Sequence, residues 1–282
     1  DVSSNVPTII SGLRDTPYGR TGKIDLAGFK NDFNSFSDPR AMAEHIIAQG
    51  KYENAEQKQD ATNIIHDIVA RMYAANPNSV SNLKLVIADR TPYQDAKQEG
   101  SYHVFDNALE PGKTETAIYI NRKAIGDNPI GVFLHEGGHL ARDMMGIEKN
   151  ELLSLYQAIG ETNQKDTIAQ YKFKNHGAKY KGLDDGKKAE VDALMKNMTP
   201  IAQADEWFSH QFVRILTGNT TDKSVKSALQ QHLKTFLHPL VEQYAGTREQ
   251  AGSSADAKSL LNRRILDFMG YDPRGFKDDL SF

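Results

Sequence analysis

Cysteine is absent from all 282 residues, which excludes disulfides, thiol nucleophiles and thiolate metal ligands together. Any metal must therefore be held by His, Asp or Glu. No apolar run approaches the roughly eighteen residues that a membrane span needs, so none is expected. Charge of one sign is also missing: 34 Lys and Arg stand against 37 Asp and Glu, for a net charge of −3. The basic residues are scattered, and no face suited to nucleic acid emerges. The chain starts at Asp1, with neither Met nor a signal-like apolar stretch, as expected of a processed form or of a piece of a longer polypeptide. What is present, 39% hydrophobic residues, suffices for one large core or two smaller ones.

One stretch organises the rest. Asn128-Pro-Ile-Gly-Val-Phe-Leu-His-Glu-Gly-Gly-His-Leu-Ala-Arg-Asp-Met-Met-Gly146 contains His135-Glu136-Gly137-Gly138-His139, an HExxH pattern. On a helix, side chains four apart point the same way, so His135 and His139 can offer two imidazole nitrogens to one metal ion. Glu136 then lies beside the ion without being forced to ligate it, as a general base toward water requires. Pro129 suits the first turn, and Gly146 suits a C-terminal cap. Gly137 and Gly138 each cost about 1 kcal/mol against Ala in a helix interior, which suggests a close approach by a strand or substrate.

The hydrophobic pattern divides the remainder. Residues 1–23, rich in Ser, Thr, Pro and Gly, read as a linker or surface arm. Residues 24–79 read as a helical lead-in, with Pro39 after Asp38 opening one helix and Asn76-Pro77-Asn78 closing the last. The period then changes to two: Leu83–Ala88, Ser101–Phe105 and Glu115–Asn121 are expected strands of a small sheet preceding the motif helix. Thr116, Ala117, Ile118 and Tyr119 are expected at an edge that pairs with an extended substrate. Residues 160–188, rich in Lys, Gly and Asn, read as a long loop or insertion. Thr199 and Pro200 open a strong helix with core face Ile201, Ala204, Phe208, Phe212 and Ile215, and Gly218 ends it. A further helix near 222–244 and a last amphipathic one near 255–269 follow. The expected divisions are thus 1–23, 24–79, a catalytic domain over 80–245, and a C-terminal helix and tail over 246–282.

Two imidazoles do not complete a catalytic zinc site, which normally has three protein ligands and a water. The metzincin pattern fails, because Arg142 and Met145 stand where Gly and His are needed. Two carboxylates compete for the third place. Glu161 lies in a polar run, whereas Glu206 stands on the helix beside Trp207 and Phe208, and a rigid element favours it.

The two motifs together, with Glu206-Trp-Phe-Ser-His-Gln-Phe212 as the second, resemble the zincin metalloproteases of the anthrax lethal factor and Pro-Pro endopeptidase family. There, an HExxH helix is followed by a helix reading Glu-Phe-Phe-Ala-Glu-Ala-Phe. The resemblance spans roughly residues 115–245. It implies an α+β zincin fold, mostly helical with a small sheet before the motif helix. It implies one zinc ion on His135, His139 and Glu206, with Glu136 as base. His210 replaces a second acid of the family, and Thr199 stands about where the family has a transition-state Tyr. His210 is therefore expected to act as a second-shell partner or a ligand, and Tyr180 is one candidate oxyanion donor.

The expected activity is a zinc-dependent endopeptidase acting on a protein or peptide, and the resemblance suggests a bacterial toxin or effector, secreted or delivered to another cell. Two rivals remain: a degenerate metalloprotease-like binding module, and a zinc hydrolase of a non-peptide amide.

Overall fold

The computed structural model describes residues 34–36, 38–52, 54–89, 99–106, 114–125, 129–173 and 178–217, together with Leu261, Arg264, Ile265, Phe268 and Met269. The expected arm at 1–23, the helix at 222–244 and the cap at Gly218 lie outside them. The described residues are mostly helical with a small sheet, and they fall into two compact units, one up to Met144 and one from Met145. This division falls inside the span read as one catalytic domain.

The first unit begins with β1 (Asn34–Ser35), α1 (Pro39–Ala48), α2 (Ala55–Ala75) and α3 (Pro77–Ser81). Asp38 caps α1 as its sequence position implied, its side chain accepting the Arg40 N–H at 2.8 Å. Such caps contribute about 1 kcal/mol by satisfying an orphan N–H of the first turn. Asn76 does more than end α2: its side chain accepts the Ser79 N–H at 3.1 Å and starts α3. The strand pair of residues at β1, within a region read as helical, was not expected.

The three expected strands are present as β2 (Leu83–Ala88), β3 (Gly100–Asp106) and β4 (Thr114–Asn121). The sheet order is β1-β2-β4-β3. β4 runs parallel to β2 on one side and antiparallel to β3 on the other. The expectation that Thr116–Asn121 offers an open edge is thereby corrected, since both edges of β4 are already paired. The physical sign is burial on both faces: Ala117, Ile118, Tyr119 and Ile120 are consecutive and all buried, as in an interior strand. β3 stands at the outer end of the described sheet.

After α4 (Arg122–Ile125), the motif helix α5 runs from Ile130 to Met144. Pro129 sits just before it, its carbonyl accepting the Phe133 N–H at 2.8 Å. Gly146 takes φ +63° after the last turn, the left-handed conformation that glycine adopts at helix ends. α5 packs on β3 and β4. A Cβ on Gly100 would collide with Val132, and would lie 3.0 Å from the Tyr119 carbonyl oxygen and 3.1 Å from the Glu136 Cγ. A Cβ on Gly137 would meet nothing within 4 Å. The close approach expected of the helix glycines is thus not made at Gly137, and one is made from the strand side, at Gly100.

The second unit contains α6 (Lys149–Ala158), α7 (Gly160–Phe173), a 3-10 turn (Tyr180–Gly182), α8 (Asp185–Asn197) and α9 (Pro200–Thr217). Where a long loop or insertion was expected over 160–188, the described residues form α7, the 3-10 turn and the start of α8. Gly160, with φ +78°, supplies the change of direction after α6. The buried face of α7 carries Asp166, Thr167, Ile168, Ala169 and Gln170, so no apolar stripe announces the helix. These polar groups are satisfied locally: Gln170 donates to the Ala178 carbonyl at 3.0 Å, and Asp166 accepts the Tyr180 N–H at 2.8 Å and the Lys179 ammonium at 2.9 Å. Ile168, Ala169, Ala178 and Val191 form a small core between α7 and α8. Of the expected last helix, Leu261, Arg264, Ile265 and Phe268 are helical, and Arg264 pairs with Glu151 of α6.

Candidate metal centre

Two helices, α5 and α9, each carry two side chains of metal-ligating type four residues apart. On α5 these are His135 and His139, whose ring centroids lie 5.2 Å apart at 85°. Consecutive residues Glu136 to Arg142 are all buried, so this part of α5 is enclosed on every side, and polar groups there are held at the cost of their hydration.

On α9 the pair is Glu206 and His210. Thr199 caps this helix, its Oγ1 accepting the Ala202 N–H at 3.3 Å. Ala204, Trp207, Phe208 and Phe212 are at 0% exposure, and Glu206 and His210 at 2% and 3%. The helix is therefore enclosed nearly all round, rather than along the single stripe the sequence suggested. Its apolar side packs against Tyr156 of α6, whose ring lies 6.0 Å from that of Trp207 and whose hydroxyl donates to Gln203 at 3.1 Å. Burial raises the Tyr156 hydroxyl well above its ordinary range.

His135, Glu206 and His210 each offer one ligand atom, and these atoms lie within 4.8 Å of one another, so the three could hold a metal ion. Two predicted ligands are thus brought together and His210 joins them, while His139 stands outside the group. The donor set is two imidazoles and a carboxylate, which suits zinc in a cysteine-free chain. Glu136 fits the same chemistry: its Oε2 is buried and has no hydrogen-bond partner among the described residues. An ionised carboxylate enclosed in that state is costly unless a cation or proton donor faces it.

Glu161, the competing carboxylate, lies in the first turn of α7 with its side chain 76% exposed and paired with Lys165 at 2.9 Å. It is a solvated helix residue. Tyr180 was the candidate oxyanion donor. Its hydroxyl already donates to Asp192 at 2.7 Å in an exposed setting, and that hydrogen bond is the main cause raising its pKa.

The sequence missed the surroundings of His139. Tyr102 of β3 lies nearly parallel to the His139 ring, with centroids 6.4 Å apart at 11°. Its hydroxyl donates to Asp143 at 2.7 Å. Burial, then the charge and hydrogen bond of Asp143, hold that hydroxyl well above its ordinary pKa, so it stays a donor. The pair is 41 residues apart in sequence, and no local pattern signals it.

No family model, no curated protein and no solved structure matches the chain.

Proposed function

We propose that this protein is a zinc-dependent endopeptidase of zincin type. The observation that carries this is the group of half-buried His135 with buried Glu206 and His210, their ligand atoms within 4.8 Å of one another, His135 standing in an HExxH motif. His135 and Glu206 would hold one zinc ion, completed by His139, by His210 or by both. Bound there, zinc would acidify water and polarise the substrate carbonyl.

The remaining work falls to the chain's own groups. Glu136 would accept a proton from the attacking water as its oxygen bonds to the peptide carbon. The same carboxyl would return that proton to the leaving nitrogen as the C–N bond breaks. Enclosure of Glu136 supports this role, because a base shielded from bulk water holds the transferred proton for the leaving group. Bond formation, bond cleavage and proton thereby balance without an oxidant or a further cofactor. The resemblance to secreted bacterial zincins favours a protein substrate outside the producing cell.

The test is a mixed peptide library incubated with the zinc-loaded protein, with the chelated protein, and with the chelated protein after zinc is restored. Cleavage that disappears on chelation and returns with zinc is expected. Stoichiometric zinc uptake without cleavage would mark a binding module instead, and zinc-dependent release of ammonia or amines from small amides alone would mark a non-peptide hydrolase.

A further inference from the structure

His135, His139 and Asp143 recur at intervals of four along α5 and so share one face, each turned by about 40° from the last. Tyr102 reaches that face from β3. At one end its hydroxyl donates to Oδ2 of Asp143 at 2.7 Å. Oδ1 of the same carboxylate accepts from Arg142, at 2.6 Å from Nη2 and 3.2 Å from Nε. Arg142 is itself only 1% exposed, so the carboxylate is fixed by a buried guanidinium and the tyrosine by the carboxylate. With its hydroxyl anchored one turn beyond His139, the phenol ring lies along the imidazole, parallel within 11°.

From this geometry we infer that Tyr102 is a positioning residue for His139 as a metal ligand, an inference that rests on the zinc site proposed above. The ring torsion of a histidine is broad. An unrestrained imidazole loses that freedom when it ligates, whereas a ring already held in plane by a stacked neighbour loses less, and preorganisation appears as affinity. The offset parallel arrangement at 6.4 Å lies within the range over which aromatic pairs attract. Tyr102 makes no contribution to the reaction by touching substrate. It acts through His139, held by Asp143 and Arg142.

The test uses the full chain and cobalt(II) as the metal probe. In Tyr102→Leu the anchored ring is gone, and cobalt affinity is expected to fall about 10–100-fold, the usual range for a partner that orients a ligand. Tyr102→Phe keeps the ring and loses its anchor, so it should recover part of that affinity. The His139 ring-proton shifts, displaced by the neighbouring ring in the parent, should revert in Tyr102→Leu and stay displaced in Tyr102→Phe. Parent-like cobalt affinity in a folded Tyr102→Leu protein overturns the inference while leaving the zinc site standing. Should Tyr102→Leu fail to fold, the parent decides: ring-to-ring nuclear Overhauser contacts between Tyr102 and His139 are required, and their absence overturns it. A parent protein that takes up no cobalt removes the zinc site, and this inference with it.

Discussion

Two carboxylates that competed on sequence grounds differ sharply in their surroundings. Glu206 is 2% exposed on α9, whereas the Glu161 side chain is 76% exposed and shares its charge with Lys165. A buried carboxylate is held at the cost of its hydration, so a bound cation would matter more to it than to a solvated one. In zinc titrations, Glu206→Ala should weaken binding well beyond the 10–100-fold typical of a group that only orients a ligand. Glu161→Ala should bind zinc like the parent. His210→Ala then separates two roles for His210: a loss as large as that of Glu206→Ala makes it a ligand, and a smaller loss makes it a partner of one. Near-native affinity in Glu206→Ala would return the site to Glu161. At this scale the sequence was informative where chemistry is local. His135 and Glu206, two members of the group that could hold a metal ion, could be named from the HExxH pattern and from helix signals, because both are read from neighbouring residues and need no knowledge of the fold. Tyr102 could not be named, because its partner Asp143 is far along the chain and only the packing of β3 on α5 brings them together.

Among the elements, the pairing of β3 with α5 carries the sharpest mechanical demand. The space beside Gly100 is taken by Val132, the Tyr119 carbonyl and Glu136, so any side chain there must push the strand or the helix. Gly100→Val is expected to cost about 1–3 kcal/mol, the usual penalty for overfilling a packed contact. Gly137→Ala on the facing helix meets nothing within 4 Å and gains helix propensity, so it should stabilise by up to about 1 kcal/mol. Chemical denaturation of the two variants checks both signs, and a stabilising Gly100→Val would refute the packing. Strands and capped helices were legible because alternation, Asp38-Pro39 and Thr199-Pro200 are local signals. The order of the strands was not, although the unbroken run Ala117 to Ile120 contained the sign of an interior strand. Helix α7 was missed for the opposite reason. Its buried face is polar and satisfied by side-chain hydrogen bonds, so hydrophobic period alone has nothing to detect.

For the molecule as a whole, burial of titratable rings sets a pH window. In the first unit, burial and then the charge of Arg122 depress the pKa of His45 below its ordinary 6.5. A depressed folded value favours the neutral ring, so stability is intact above about pH 6.5 and is lost as pH falls below it. Tyr102 in the first unit and Tyr156 in the second are raised above the ordinary 10.0, chiefly by burial. A raised folded value means stability is intact below about pH 10 and is lost as pH rises past it. Through these groups, thermal stability should fall as pH drops below about 6.5 and as it rises past about 10. Tyr156→Phe should flatten the alkaline fall, and a melting temperature that keeps rising above pH 10 would contradict the assignment.

The central claim is that a buried zinc site works with Glu136 as its proton carrier, and one comparison tests it most directly. The parent and Glu136→Gln proteins, each loaded with one equivalent of zinc verified by metal analysis, are given the same peptide library, and new amino termini are counted. Gln preserves the shape of the side chain and cannot accept the proton, so the account predicts cleavage by the parent and none by the variant at equal zinc content. Equal cleavage by the two zinc-loaded proteins would contradict it.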